Sequence, residues 1–427
     1  MPRVVITGIG VVSPFGVGRE QFWDSISRGR SGIRLIDAFD PSRLPCKVAA
    51  PVPPLTPAQV AIFDERGNGS EPRVGDALGT RADPRRYSKT SRIAVLAARE
   101  AWTDAGLSLG EPHAGVIVGS GAGGIDVAER QYAEYFSESW KRITPYAIPV
   151  SIVGMVSSEI SIALGLRGMS HVLSTGCTSS TDAVGYAAAT IRGGEAEVIL
   201  SGGADACVTP GMMLGFSKMR AVATRYNDRP AEASRPFDRD RDGFVLGEGA
   251  WMVVLERDDR ARARGARPYA MVEGYGSTCD AYHRVQMDPA GDEIVEAMRL
   301  AIARAGRALE EIGYVNFHGT STVLNDAVES RCVRRLFGEL ADRLPGSSTK
   351  SMIGHPQGAS GAAGIITAAL ALARRYIPPT INQVHPDPAC DLDFTPNHGR
   401  RHEAQAALCN CLGFGSKNSA IVLGAAH

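Results

Sequence analysis

The chain predicts an α/β fold built of two similar halves. The prediction rests on a strand, helix and strand in close succession around residues 172–201, on a second alternation of strands and helices from 269 onward, and on a length of 427 residues. Strand–helix–strand units put parallel strands side by side with helices on the sheet faces. A chain this long exceeds what one core usually supports, so two lobes follow.

Val4 to Val12 reads as a buried strand that breaks at a Gly and Pro turn over 13–18, with a helix from Glu20 to Ser27 after it. From 51 to 79 prolines, glycines and mixed charges predict a surface loop region, with one short helix over 57–64. Helical spacing returns over Ser88–Ala105, and Arg85, Arg86, Lys89 and Arg92 crowd its start, as a solvated face or as a docking surface. Gly115–Gly119 is a strand that opens into Ser120-Gly121-Ala122-Gly123-Gly124. This loop lacks the spacing of a nucleotide-binding loop, so it is read as a place where another chain segment or an acyl group approaches the backbone.

The stretch Val172 to Tyr186 is the centre of the chain: an apolar strand reaches Gly176, presents Cys177 and turns into a small-residue helix that ends at Gly193. A thiol near a helix start meets unpaired N–H groups and the positive end of the dipole, which favours a thiolate nucleophile. The alternative at this point is an inert buried thiol. A strand at 198–201 completes the unit. The dense charges of Arg225–Arg241 predict ion pairs that fix loops. After a strand over Trp251–Glu256, the charged segment 257–267 is the expected boundary, giving halves 1–256 and 257–427. The second half then alternates strand (269–275), helix (292–305), strand (314–317), helices (326–337 and 359–373) and strand (420–424), in an order like that of the first.

Basic and acidic residues cancel at 46 each, so no global field draws the chain to nucleic acid or to an anionic membrane. Eight scattered cysteines lack metal-type spacing, no apolar run approaches membrane-spanning length, and a reducing cytoplasm is the expectation.

Three more segments bear on Cys177. A strand ends in Asn316-Phe317-His318-Gly319-Thr320-Ser321-Thr322, a polar loop runs Ser347-Ser348-Thr349-Lys350-Ser351-Met352-Ile353-Gly354-His355, and Gly413-Phe414-Gly415 lies near the end. With Val4-Val5-Ile6-Thr7-Gly8, Arg235-Pro236-Phe237-Asp238 and Asp242-Gly243-Phe244-Val245-Leu246-Gly247-Glu248-Gly249, the chain resembles the β-ketoacyl-ACP synthases of fatty-acid and polyketide synthesis over nearly its whole length.

The resemblance implies the thiolase fold, two α/β halves in a five-layered αβαβα core, working as a homodimer or as a heterodimer with a chain-length-factor-like homologue. It implies a decarboxylative condensation catalysed by Cys177, His318 and His355, with Lys350 supporting the histidines and Glu329 as the ionic partner of Lys350. The backbone N–H groups of Cys177 and Phe414 would hold the oxyanion. Thr320 and Thr322 would contact the phosphopantetheine arm, or else cap their turn. Ala122 stands beside the acyl pocket, where fatty-acid relatives often carry a bulkier residue. Acyl carrier protein is the implied partner, met by the basic cluster together with Lys218 and Arg220. No cofactor or metal is implied, since substrates ride on the carrier's phosphopantetheine.

The nucleophile stretch leans toward polyketide ketosynthase α subunits, the His318 and Lys350 loops toward fatty-acid elongation. Ser416 and Lys417 replace a glycine and a threonine usual in the family, and Pro356-Gln357 follow His355 where aliphatic residues are commoner. A degradative thiolase would use a second cysteine as acid and base near the carboxyl end, where Cys409 and Cys411 lie, but the Lys350 and His355 loop belongs to synthases. A non-catalytic chain-length factor would lack Cys177.

Overall fold

The computed structural model describes residues 2–61, 87–137 and 139–426. The strands along its main ladder, in chain order, are β1 (Val4–Ser13), β2 (Gly115–Gly119), β3 (Ser170–Leu173), β4 (Val198–Ala206), β5 (Glu248–Arg257), β6 (Ala270–Cys279), β7 (Ile312–Asn316), β8 (Gly346–Ser347), β9 (Ala406–Gly413) and β10 (Lys417–Ala425). The main helices are α1 (Lys89–Asp104), α2 (Met155–Leu164), α3 (Ser179–Arg192), α4 (Asp292–Ala305), α5 (Val323–Phe337) and α6 (Ser360–Arg374).

The strands form one continuous ladder in the order β8-β7-β9-β10-β6-β1-β5-β4-β2-β3. Its two arms repeat one pattern. From the first edge inward, β3, β2 and β4 are parallel while β5 and β1 alternate; from the other edge, β8, β7 and β9 are parallel while β10 and β6 alternate. The arms join where Val4–Ile6 pair antiparallel with Ala270–Val272.

Helices complete the five layers. α1 and α2 cover the outer face of the first arm through Ile93, Ala97, Trp102 and Ile160. α4 and α5 cover the outer face of the second through Met298, Ile302, Val328 and Val333. Between the arms, α3 and α6 pack on each other in the largest apolar cluster. A helix with a sheet on either side has no solvated face, which is why α6 is an almost unbroken run of small and apolar residues, buried from Ser360 through Leu372. Closeness also limits size: a Cβ at Gly361 would stand 1.9 Å from Thr181 Oγ1.

Of the short helix expected over 57–64, Pro57–Ala61 is present and the rest lies outside the described residues, as do Arg85 and Arg86. Among the described residues no helix is long and apolar enough to cross a membrane. The charged segment 225–241 is an ion-pair lattice: Arg235 meets Asp238 at 3.0 Å, and Arg241 meets Asp387 at 2.5 Å and Asp326 at 3.5 Å. Asp326 in turn accepts the backbone N–H groups of Phe237, Thr320 and Ser321, so the lattice braces the loop after β7.

Candidate active site

Three segments from both halves meet between the arms. After β3 the chain reaches Gly176 with φ +72, makes a single 3-10 turn over Gly176–Thr178 and enters α3. Its side chains hold that turn: Thr178 Oγ1 donates to Asp182 Oδ2 at 2.9 Å, and Ser179 Oγ to the Gly176 carbonyl at 2.6 Å. Asp182 also accepts from Tyr275 Oη in β6 and from Ser419 Oγ in β10, so the second arm anchors the start of a helix that belongs to the first half. Cys177 is left at the turn, 6% exposed.

His318 follows β7, and its N–H and that of Gly319 donate to the two oxygens of Glu329 at 2.7 and 2.8 Å. His355 follows the short helix Lys350–Ile353 and Gly354. Its N–H donates to the Val245 carbonyl at 2.7 Å, and its Nδ1 accepts the Gln357 N–H at 3.1 Å with Ser360 Oγ 2.9 Å away. An Nδ1 that accepts from a backbone N–H carries no proton in the neutral ring, so Nε2 of His355 is a donor.

Cys177, His318 and His355 each bring one sulfur or ring nitrogen into a group spanning no more than 4.8 Å, all buried. The two imidazoles stand edge to face, centroids 5.3 Å apart. The backbone N–H groups of Phe414 and of Cys177 itself stand close enough to the Cys177 sulfur to favour its thiolate. Cys411, weighed in the sequence only as the second cysteine of a degradative thiolase, lies within the cluster: its thiol donates to the Cys177 carbonyl at 3.0 Å and stands 3.7 Å from His318 Nδ1.

Electrostatics corrects two expectations. Burial pushes the Cys177 thiol up to about 11, against the pull of the Phe414 N–H and the Lys350 charge. The start of α3 therefore does not by itself yield a thiolate; desolvation outweighs it. Nor do Lys350 and Glu329 form an ion pair within 4 Å. Glu329 is the clamp of the His318–Gly319 turn, assisted by Asn410 Nδ2 at 3.3 Å, and burial raises its carboxyl to about 7. It reaches Lys350 only through the field. Burial lowers both histidines well below the usual range, with the charge of Lys350 adding to it, so both rings are neutral near pH 7.

Ala122 packs in an apolar cluster with Cys207, Phe216 and Phe244. Phe244 stacks edge-on against His355 at 5.3 Å and against Phe216 at 5.2 Å, and Phe216 lies 6.4 Å from Phe414. Asp205, another residue the sequence did not single out, holds this wall. It accepts from Ser120 Oγ and from the N–H groups of Gly121, Ala122 and Gly358 at 2.6–3.1 Å. The glycine loop thus admits another chain segment, as expected: a Cβ at Gly358 would stand 2.3 Å from the Gly121 nitrogen.

The hydroxyls of Thr320 and Thr322 bond each other at 2.9 Å, and Thr322 precedes α5 without a side-chain cap bond. The proposed docking cluster contracts. Lys89 is committed to the buried carboxylate of Glu248, and Arg92 is half-buried beside Asp126 and Arg130, so both face structural partners. Lys218 and Arg220 are exposed at the end of helix Pro210–Lys218.

A thiol, two neutral imidazoles and a buried lysine between the halves of a thiolase-type sandwich define an acyltransferase that works through a thioester on cysteine. The chain belongs to the β-ketoacyl synthase family, whose N-terminal domain model matches residues 1–261 and whose C-terminal domain model matches 269–384. It is 39% identical to the 3-oxoacyl-[acyl-carrier-protein] synthase 2 of Coxiella burnetii, over 99% of this chain and 98% of that one. It is also 39% identical to the tetracenomycin polyketide synthase ketoacyl synthase alpha subunit of Streptomyces glaucescens, over 99% and 96%. Among solved structures, the ishigamide ketosynthase/chain length factor matches with a TM-score of 0.89 at 33% identity, covering all of both chains. The chemistry of the chain is accordingly the decarboxylative Claisen condensation that extends an acyl chain by two carbons.

Proposed function

We propose that Cys177 accepts an acyl group from acyl carrier protein and that His318 and His355 then direct malonyl decarboxylation on the same site. The observation that carries this is the thiol and the two ring nitrogens within 4.8 Å of one another. In the first step the sulfur attacks the donor thioester: the Cys177 Sγ–C bond forms, the donor C–S bond breaks, and the thiol proton passes to the leaving pantetheine sulfur. Lys350 assists by lowering the cost of the thiolate. The N–H groups of Cys177 and Phe414 hold the oxyanion.

In the second step malonyl thioester loses carbon dioxide. The electron pair moves onto the thioester oxygen, where the Nε2–H of His355 donates to it, with His318 beside it. The resulting carbanion attacks the acyl carbonyl on Cys177 and expels the sulfur. No cofactor enters this reading. Thr320 and Thr322, each with hydroxyl capacity left, are assigned to the amides of the phosphopantetheine arm. The acyl tail is assigned to the wall around Ala122, and the carrier's acidic surface to Lys218 and Arg220.

A second subunit, identical or chain-length-factor-like, is placed along β3. That strand is an edge with Ser170 and His171 exposed, and it contacts α2, on which Ile162 is exposed. Unpaired strand edges of this kind are what a second chain covers. A cytoplasmic setting suits eight cysteines that are all free.

Incubating the protein with an acyl-loaded carrier protein and weighing it tests the reading. The acyl mass is expected on Cys177 and is lost in Cys177→Ala. No acyl mass from any donor supports the alternative, a partner subunit that only shapes the product cavity.

A further inference from the structure

Gln357 stands beside the site with its side-chain Nε2 buried and unpartnered. It opens the single 3-10 turn Gln357–Ala359, which packs against the turn that carries Cys177. Its N–H is fixed on His355 Nδ1, and the next residue, Gly358, is fixed on Asp205 and pressed against Gly121. The residue therefore sits between His355, the nucleophile turn and the Ala122 loop. Its φ is +45, a left-handed conformation that glycine adopts freely and glutamine does not. Only 9% of it is exposed, and its side-chain Nε2 is buried with no hydrogen-bond partner.

A primary amide carries two donors and an acceptor. Left unmet inside an apolar wall, such a group costs about 1–3 kcal/mol, which an aliphatic side chain of the same size would avoid. Strain and an orphaned amide together at one position beside the reacting atoms call for a ligand oxygen.

We infer that the Gln357 amide recognises an oxygen on the acyl chain itself, so that the preferred acyl donor is a 3-oxoacyl thioester rather than a saturated one. The position suits this. His355 bonds the Gln357 backbone N–H through Nδ1 and shares a 4.8 Å group with Cys177 Sγ, so the residue stands within reach of the first carbons of a chain held on that sulfur. The walls further along are apolar and offer a saturated chain no reason to need an amide. A site with a polar group built for a substrate oxygen discriminates against the analogue that lacks it, because the group is then left unpaired. This inference rests on the reading of Cys177 as the acyl acceptor.

The test uses the full chain without any malonyl donor. Cys177 is acylated with 3-oxooctanoyl- and octanoyl-pantetheine, and the rates are read by mass. In each case the Cys177 S–C bond forms, the donor C–S bond breaks and free pantetheine thiol leaves with the proton. The wild type is expected to favour the 3-oxo donor, and Gln357→Met, unbranched and of similar length, to lower that preference about ten-fold, the worth of one buried hydrogen bond. Gln357→Leu serves if the methionine variant melts early. Acylation of Cys177 with an unchanged ratio overturns the inference alone. So does an intact ratio accompanied, in a separate assay supplied with malonyl thioester, by slower decarboxylation in the variant, which would assign the amide to the malonyl carboxylate. No acylation of the wild type by either donor overturns the reading of Cys177, and this inference with it.

Discussion

The turn that carries Cys177 and the turn that follows His355 are counterparts in the two halves. Each comes after the edge strand of its arm, each is a single 3-10 turn, and each leads into a central helix, so Gly176-Cys177-Thr178-Ser179 matches Gln357-Gly358-Ala359-Ser360. Both begin on a left-handed residue, with φ +72 at Gly176 and +45 at Gln357. In the first half glycine takes the strained backbone and the next residue is the nucleophile. In the second, glycine stands at the nucleophile's place, where Asp205 and Gly121 leave no room for a side chain, and glutamine bears the strain. One backbone device thus presents a thiol in one half and, in the other, ties down the histidine and the pocket wall.

Removing the tie is expected to have the largest effect. Asp205→Ala leaves three backbone N–H groups and a hydroxyl unmet in the interior, and about 3 kcal/mol or more of stability should go with it. Denaturant midpoints would show it. A loss below 1 kcal/mol would mean that the second turn holds without its carboxylate.

The nucleophile turn is probed next through its thiol. With Cys177 pushed up to about 11, alkylation by iodoacetamide should climb close to ten-fold per unit from pH 7 to about 10, following the thiolate fraction. Lys350→Ala removes a charge that favours the thiolate, so the thiol rises further and alkylation at pH 8 should slow several-fold. The histidines act in the opposite sense. Held well below 6.5 by burial and by Lys350, they are already neutral above that value, so malonyl decarboxylation should stay flat from pH 8 down through 6.5 and fall only on the acid side. A limb centred at 6.5 would mean that solvent reaches the rings.

Smaller effects are expected at the surface. Arg220→Glu should raise the KM for carrier protein several-fold, less so in high salt, since exposed charges steer encounters and are screened. Lys89→Ala should instead lower the melting temperature, because it strands the buried Glu248.

What could be read beforehand follows from how local each signal is. The turn at Cys177 was legible because an apolar run, a glycine and a small-residue helix are contiguous. His318, Lys350, His355 and Phe414 were legible as short motifs, and the fold brings them together. Asp205 was not, for it sits in a wholly buried strand and acquires meaning only when residues 120–122 and 358 fold onto it from opposite directions. Glu329 was expected, through the family resemblance, as the ionic partner of Lys350; the choice of two backbone N–H groups at the His318–Gly319 turn is made by that turn's geometry, which no sequence pattern shows. The thiol's direction of shift was misread for a related reason. A helix start is visible in sequence, whereas the depth at which it is buried depends on both arms of the sheet.

The smallest effect separates the two turns most cleanly. Gly176→Ala forces a Cβ into the left-handed region, where contact with the Phe414 carbonyl at 3.4 Å is ordinary, so the cost is conformational, about 1–2 kcal/mol. Gln357→Gly does the reverse. It relieves the strain and removes the orphaned amide, offset by the added freedom of glycine in the unfolded chain, and the net change should lie within about 1 kcal/mol of zero or on the stabilising side. Equal losses at both positions would show that glutamine is there for packing. A loss at 176 with none at 357 would show that stability does not explain the glutamine, and that its place beside His355 answers to the substrate.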